Sequence, residues 1–306
     1  MRKLSAWINA ARLRTLPLSV SGILVGTAIA DIYGNSDPLL FFLAVLTAIG
    51  FQITSNFAND YGDGIKGTDN ENRIGPQRAL QSGLLSKEEL KRGIIVSIAI
   101  NVLLILGVIY IAFGLNNIEY LITFFTLGAI SIWAAIKYTV GNSAYGYRGL
   151  GDLFVFVFFG LLSVMGTAFL HLKQVYPLSI LVASSIGLLS VGVLNLNNLR
   201  DHESDRASQK NTLIVKMGYD NGIRYHTLLI ILGLGAMLTF VLLFFECWAQ
   251  LVPLLLFVPI LMHLNRVRAT KNPALLDPEL KKLAIGIFLM SLLFYMTNNI
   301  FCNFEL

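Results

Sequence analysis

The stretch L39-L-F-F-L-A-V-L-T-A-I-G-F-Q-I-T-S-N-F57 carries no charge. Its length is what an α-helix rising ~1.5 Å per residue needs to cross ~30 Å of hydrocarbon. In a bilayer every backbone N–H and C=O must be satisfied internally, and a helix does this within one segment. The next residues are of another kind: A58-N-D-Y-G-D-G-I-K-G-T-D69, with Asp60, Asp63 and Asp69 close together. An apolar span running straight into an acidic loop frames both questions, of fold and of function.

Similar apolar runs recur along the chain. Nine are expected to span: Leu16–Tyr33, Leu39–Phe57, Gly93–Phe113, Ile118–Ile136, Leu153–Leu172, Tyr176–Leu196, His226–Phe245, Leu251–Leu264 and Leu283–Phe301. The eighth is the shortest and contains Pro253 and Pro259. Composition agrees: 55 % of the 306 residues are hydrophobic and 13 % charged, with mean hydropathy +0.68. A soluble domain is about 25 % charged, so this chain lacks the charge to cover a water-facing surface. The reading is an all-α transmembrane protein in the lipid bilayer. With no low-complexity linker or shift in composition, it forms a single domain over 1–306.

Every Lys and Arg of the 23 except Lys173 falls on the side of the N-terminus. The positive-inside rule then sets the N-terminus and all long loops in the cytoplasm and the C-terminus outside. The net charge of +5 and pI near 9.2 are therefore a signal of topology. With no basic tail or motif, nucleic-acid binding is not expected. Basic residues, an apolar run and Ala28-Ile29-Ala30 also match a secretory leader, but eight further spans come after it and an ordinary first span is the reading taken. Cys247 and Cys302 fall near outer helix ends and are expected as two separate thiols, although an oxidising compartment would permit a disulfide.

Two loops hold the chemistry. The first opens with Asn59, Asp60 and Asp63, the second with Asn197, Asp201 and Asp205, and each leaves its span through N-x-x-x-D. Repeated halves of this kind often build one site at their interface. If the spans continue helically, residues four apart share a face. Asn59 would then point with Asp63, Asn56 with Asp60, and Asn197, Asp201 and Asp205 would form one stripe. Such clustered carboxylates repel unless something positive sits among them, and oxygen ligands suit a hard cation such as Mg2+.

A single Asp at a helix end is ordinarily just solvated. Two acidic clusters on the same side of a membrane demand more, because ionisable groups beside hydrocarbon are costly. Lys66, Arg73 and Arg78 come after the first cluster, Arg206 and Lys210 after the second, while Arg14 opens the first span and Arg148 lies in the fourth loop. Positive-inside topology explains each alone; Lys87, Lys91, Arg92 and the basic group at 266–282 are read as topology only. Acidic metal ligands beside Arg and Lys make a cradle for a diphosphate, and at a membrane boundary that suggests a lipid diphosphate. Departure of diphosphate from an allylic chain leaves a carbocation, which the aromatic residues Phe57, Tyr61, Tyr138, Tyr145 and Tyr147 could face. Interfacial aromatics are common in any case, and Tyr138 alone is carried forward.

The residues L13-R-T-L-P-L-S-V20, N59-D-Y-G-D-G-I-K-G-T-D69 with R73-I-G-P76, Y145-G-Y-R-G-L-G-D152, and N197-N-L-R-D-H-E-S-D-R206 with K210-N-T212 resemble the UbiA superfamily of intramembrane prenyltransferases. They look most like its branch acting on 1,4-dihydroxy-2-naphthoate. The resemblance implies a bundle of nine helices around a central cavity, with cytoplasmic cap loops. It implies Asp60, Asp63, Asp201 and Asp205 holding Mg2+ and diphosphate, Asn59 and Asn197 in support, and Arg78 and Lys210 on diphosphate oxygens. Gly67 stands where the general pattern has its third Asp, and Asp69 supplies the longer spacing of the naphthoate branch. The implied reaction moves a polyprenyl group from polyprenyl diphosphate to 1,4-dihydroxy-2-naphthoate, releasing diphosphate and CO2. A relative acting on 4-hydroxybenzoate or homogentisate would lack the stretch 145–152. A cation-coupled transporter would hold its carboxylates nearer mid-bilayer.

Overall fold

A computed structural model describes residues 2–68, 74–75 and 77–298. Their secondary structure is helical: α1 Arg2–Ala11, α2 Leu16–Tyr33, α3 Pro38–Lys66, α4 Lys87–Phe113, α5 Ile118–Lys137, α6 Gly151–Leu172, α7 Ser179–Ala207, α8 Tyr219–Leu243, α9 Trp248–Ala269 and α10 Leu276–Met296. Among the described residues eight helices, α2 to α9, are long and apolar enough to cross a membrane. The ninth expected span begins within α10, whose first turns carry Asp277, Glu279, Lys281 and Lys282; its end at 299–301 lies outside the described residues. Large apolar side chains are exposed along these helices, among them Leu103, Ile122, Leu242 and Val258. Lipid is the solvent that makes such exposure stable.

Local chemistry sets the helix ends. Pro38 takes the first position of α3, where its missing N–H costs nothing, and the Asp37 carboxylate accepts from the N–H groups of Leu39 and Leu40. Gly67, at φ 71°, closes α3 in a left-handed conformation that glycine adopts without strain. Ser86 and Glu89 form a reciprocal capping box at the start of α4. The prolines of the eighth span leave their mark: Trp248–Leu256 winds as a 3-10 helix around Pro253 before the α-helix Phe257–Ala269 takes over.

The helices pack in two groups. Helices α6 to α10 share a core with α2, including Ile29, Ile186, Leu189, Met237 and Phe294. Helices α3, α4 and α5 meet in a second, around Leu40, Ile105, Ile109 and Ile132. Polar contacts join α3 to α4: Asn101 Nδ2 donates to Thr54 Oγ1 at 2.8 Å, and Thr54 and Ser97 hydroxyls lie 2.9 Å apart. Inside α6 the stretch Phe156–Gly166 is a π-helix, a wider turn that recurs at functional sites. It crosses α7 at backbone contact: a Cβ on Gly160 would lie 2.6 Å from the Ala183 carbonyl oxygen and 2.7 Å from Gly187 Cα.

That crossing yields a test. Gly160→Leu is expected to cost about 3 kcal/mol or more, the upper end for overpacking, because backbone cannot move aside. Gly235→Ala, at a position where a Cβ meets nothing within 4 Å, is expected not to destabilise. Thermal unfolding of both variants in detergent measures the difference, and equal melting curves would refute the crossing.

One expectation about cysteine is corrected. Cys247 is disulfide-bonded, and no described cysteine is free. The chain's other cysteine, Cys302, lies outside the described residues.

Candidate active site

Helix α3 does not stop where its apolar run stops; it carries Asn59, Asp60 and Asp63 on two further turns. Helix α7 likewise continues to Ala207, so Asn197, Asp201 and Asp205 stand four residues apart on one helix. Both polar ends face a cavity of about 390 Å³. Asn56, Asn59 and Asp63 line it from α3, and Asn197, Asp201, Ser204 and Asp205 line it from α7. The predicted convergence of the two acidic clusters is therefore what the backbone produces.

Lys210 joins them. Its Nζ lies 3.6 Å from Asp63 Oδ2 and 3.7 Å from Asp205 Oδ1, with the side chain buried. Burial disfavours the ammonium, yet the attraction of Asp63 and then Asp205 outweighs this and holds its pKa above the ordinary lysine value. The loop that presents it is fixed by two backbone bonds, Lys210 N–H to the Asp205 carbonyl at 2.8 Å and Thr212 N–H to the Lys210 carbonyl at 2.9 Å. Tyr147 Oη donates to Asp63 Oδ1 at 2.7 Å and lies 2.5 Å from Thr68 Oγ1. Burial, then the Asp63 charge, raises its pKa, so this phenol stays protonated as a donor.

The other predicted residues divide. Arg14, Arg78 and Tyr138 line the cavity. Burial pushes the Tyr138 phenol up to about 12 despite the opposing pull of Lys210. Asp60 does not line the cavity. It is 1 % exposed, and its carboxylate is bound by Arg12 and lies 3.7 Å from Arg78 Nε. It therefore anchors two arginines of the cavity wall, having turned one helical step away from Asn59 and Asp63. Arg148 is exposed and off the wall; its carbonyl accepts from Lys216 Nζ at 2.7 Å. Of the other aromatics, Tyr145 lines the cavity, whereas Phe57 packs edge-on against Trp7 at 5.2 Å. Asp69 and Arg73 lie outside the described residues.

Several site residues are not among those expected from sequence. Arg12 and Thr15 line the cavity from the segment between α1 and α2, with Gln52 from α3. Asn56 Nδ2 donates to the Ala11 carbonyl at 2.8 Å, which ties that segment to α3. Arg200, 1 % exposed, is forked: Nε and Nη2 donate to Asp201 at 2.9 and 2.7 Å, Nη2 to Asn197 Oδ1 at 2.8 Å, and Nη1 to Asp277 Oδ1 at 2.5 Å. Arg14 Nη1 lies 3.8 Å from the other Asp277 oxygen. The start of α10 thus supports the second acidic stripe. The N-x-x-R-D spacing offers a hint of Arg200, but nothing local points to Asp277.

The donor set can be weighed against a metal. Asp63, Asp201, Asp205, Asn59 and Asn197 offer only oxygen for coordination, which suits a hard divalent cation. Among the described residues no group of three His, Cys, Asp or Glu forms a ready cage for an ion. Magnesium keeps waters and shares substrate phosphate oxygens in preference to an all-protein cage. Arg12, Arg14, Arg78 and Lys210 line the same cavity, so phosphate oxygens would meet protein cations as well. Away from this polar end the wall turns apolar, with Ala48, Phe51, Gly128, Phe158 and Leu162.

Fold and cavity define an integral-membrane helical protein whose acidic and basic groups gather at one end of an apolar chamber. The chain belongs to the UbiA prenyltransferase family, whose model matches residues 19–284. It is 43 % identical over 291 residues to a 1,4-dihydroxy-2-naphthoate octaprenyltransferase of Escherichia coli (strain K12), covering 94 % of this chain and 93 % of the relative. Its fold is similar to that of a UbiA homologue from Aeropyrum pernix K1, with a TM-score of 0.66 at 16 % identity over 91 % of this chain and 98 % of that one. It is also similar to that of a homologue from Archaeoglobus fulgidus bound to DMAPP and Mg2+, with a TM-score of 0.58 at 15 % identity over 92 % and 98 % of the two chains. The protein is a multi-span membrane prenyltransferase.

Proposed function

We propose that the protein transfers a polyprenyl group from polyprenyl diphosphate to 1,4-dihydroxy-2-naphthoate, releasing diphosphate and CO2 and giving a demethylmenaquinol, the reduced form of a demethylmenaquinone. The observation that carries this is the meeting of Asp63 and Asp205, from helices far apart in sequence, on Lys210 at the polar end of an apolar chamber. The 43 % identity to an enzyme named for this acceptor supports the choice among aromatic substrates. The stretch Tyr145–Asp152, with Tyr145 in the cavity wall, supports it as well.

Each group then has work to do. Asp63, Asp201 and Asp205, with Asn59 and Asn197, would hold magnesium, which when bound neutralises the diphosphate and assists its departure. Arg14, Arg78 and Lys210 bind phosphate oxygens, and Asp60 holds Arg12 and Arg78 in place for this. As the C–O bond to diphosphate breaks, the Tyr138 ring in the cavity wall stabilises the allylic cation. The apolar wall keeps water from it. The hydroxyls of the naphthoate ring make its carbon nucleophilic enough to form the new C–C bond without a covalent enzyme intermediate. Positioning and electrostatics supply the rest of the catalysis.

We assign the protein, acting as one domain, to the bacterial cytoplasmic membrane, with the N-terminus and acidic loops inside. The disulfide at Cys247 supports this orientation. It sits in the α8–α9 connection, at the end opposite the acid cluster, and disulfides persist on the oxidising side.

The test uses membranes containing the protein, a radiolabelled polyprenyl diphosphate and 1,4-dihydroxy-2-naphthoate. Label is expected to pass to an organic-soluble quinol only when the acceptor is present, to stop with EDTA and to return with excess Mg2+. Transfer undiminished by chelation, or efficient transfer to 4-hydroxybenzoate with none to the naphthoate, would refute the reading.

A further inference from the structure

We propose that Phe124 is the stop that sets how many isoprene units of the donor chain the protein encloses. This rests on the cavity being the prenyl diphosphate site. The floor of the cavity is the end of its wall farthest from the acidic residues. The wall on α5 runs from Tyr138 at the polar end to Phe124, and on α3 from Asp63 to Ala44. At ~1.5 Å per residue the α5 wall is about 21 Å long and the α3 wall about 28 Å. Phe124 stands at the end of the α5 wall farthest from Tyr138, and Ala44, Ile109 and Leu170 line the same cavity.

Phe124 is also held by neighbouring rings. Its ring stacks on Phe169 with centroids 5.6 Å apart and an interplanar angle of 21°, and lies 5.1 Å from Phe113. Phe113 is buried, and the Lys173 ammonium sits 4.8 Å from its ring centroid. A ring held by two rings, one of them facing a cation, cannot rotate away from an advancing chain without giving up those contacts. Up to this floor each isoprene unit gains packed contacts with the wall. Beyond it the chain must turn out between helices into lipid, where contact with other lipid gains nothing new. Efficiency should therefore climb with donor length while units are enclosed and level off once the cavity is full.

The experiment measures kcat/KM for a ladder of all-trans prenyl diphosphates, from geranyl upward, in the wild type, Phe124→Ala and Ala48→Phe. Ala48 lines the cavity on α3 one turn above the floor, so a phenyl group there shortens the chamber. Within each protein the value is expected to rise about tenfold or more per enclosed unit and then flatten. The break should come at a longer donor in Phe124→Ala and at a shorter one in Ala48→Phe. Reading the break within each protein cancels any uniform loss of folded enzyme. Phe124→Leu, which keeps an apolar side chain, is expected to break between wild type and Phe124→Ala. A break at the same length in all these proteins, or no break, overturns the stop while leaving the donor reading intact. Failure of the wild type to transfer from any prenyl diphosphate overturns both.

Discussion

Asp63→Asn and Asp201→Asn are each expected to lower prenyl transfer by at least about 10³-fold, or about 4 kcal/mol of activation free energy, while the protein still folds and inserts. Activity and folding separate here because of how each acid is paired. The exchange to Asn keeps the shape and removes one negative charge from the cavity wall. Lys210, on losing the charge of Asp63, still has Asp205 at 3.7 Å. Arg200, on losing that of Asp201, keeps its bond to Asp277 Oδ1 at 2.5 Å. Neither buried cation is stranded, so the large penalty for an unpaired buried charge does not arise. The loss is that of the charge proposed to hold magnesium against the leaving diphosphate. Transfer of labelled donor in membranes, alongside yield and melting temperature in detergent, checks both halves. Turnover within tenfold of wild type in either variant would remove that acid from the chemistry.

Much of this arrangement is legible in the sequence, for a physical reason. Lipid imposes one requirement on a span, an unbroken apolar helix, so Leu16–Tyr33 and Ile118–Ile136 can be read to within a residue of α2 and α5. Hydropathy shortens a helix where polar work begins. Helix α3 runs to Lys66 and not Phe57, and α7 to Ala207 and not Leu196, because backbone hydrogen bonding continues where hydropathy ends. The stripe of Asn197, Asp201 and Asp205 is a matter of helical period and is visible for that reason. The family resemblance groups Asp60 with the metal ligands; its carboxylate is paired here with Arg12, a contact between distant segments that no local period records. The same holds for Arg200 with Asp277, since the charges at the start of α10 read as topology alone. Helix α1 escapes notice because it is short and half polar. The reading of Cys247 as a thiol fails because pairing is a fact of three-dimensional approach, not of sequence neighbours.

Lys210→Met is expected to lower both activity and stability, and the stability loss carries the sharper argument. Lys210 is the cation through which the acid of α3 meets the acid of α7. Methionine matches much of its length and apolar stem, so the change removes charge more than volume. Two buried carboxylates would then face each other across the cavity, and breaking a buried ion pair of this kind costs about 3–5 kcal/mol. A pocket stripped of its ammonium should also bind divalent cations more strongly in the folded state than the wild type does. Binding to the folded form alone raises stability in proportion to RT ln(1 + [L]/Kd). Magnesium is therefore expected to raise the melting temperature of Lys210→Met well beyond any rise in the wild type. Lys210→Arg, which keeps the charge with a different geometry, should stay near wild-type stability while losing transfer. If Lys210→Met melts with the wild type, and magnesium moves neither, then Asp63 and Asp205 are not held together by this lysine and the two acidic stripes do not form one site.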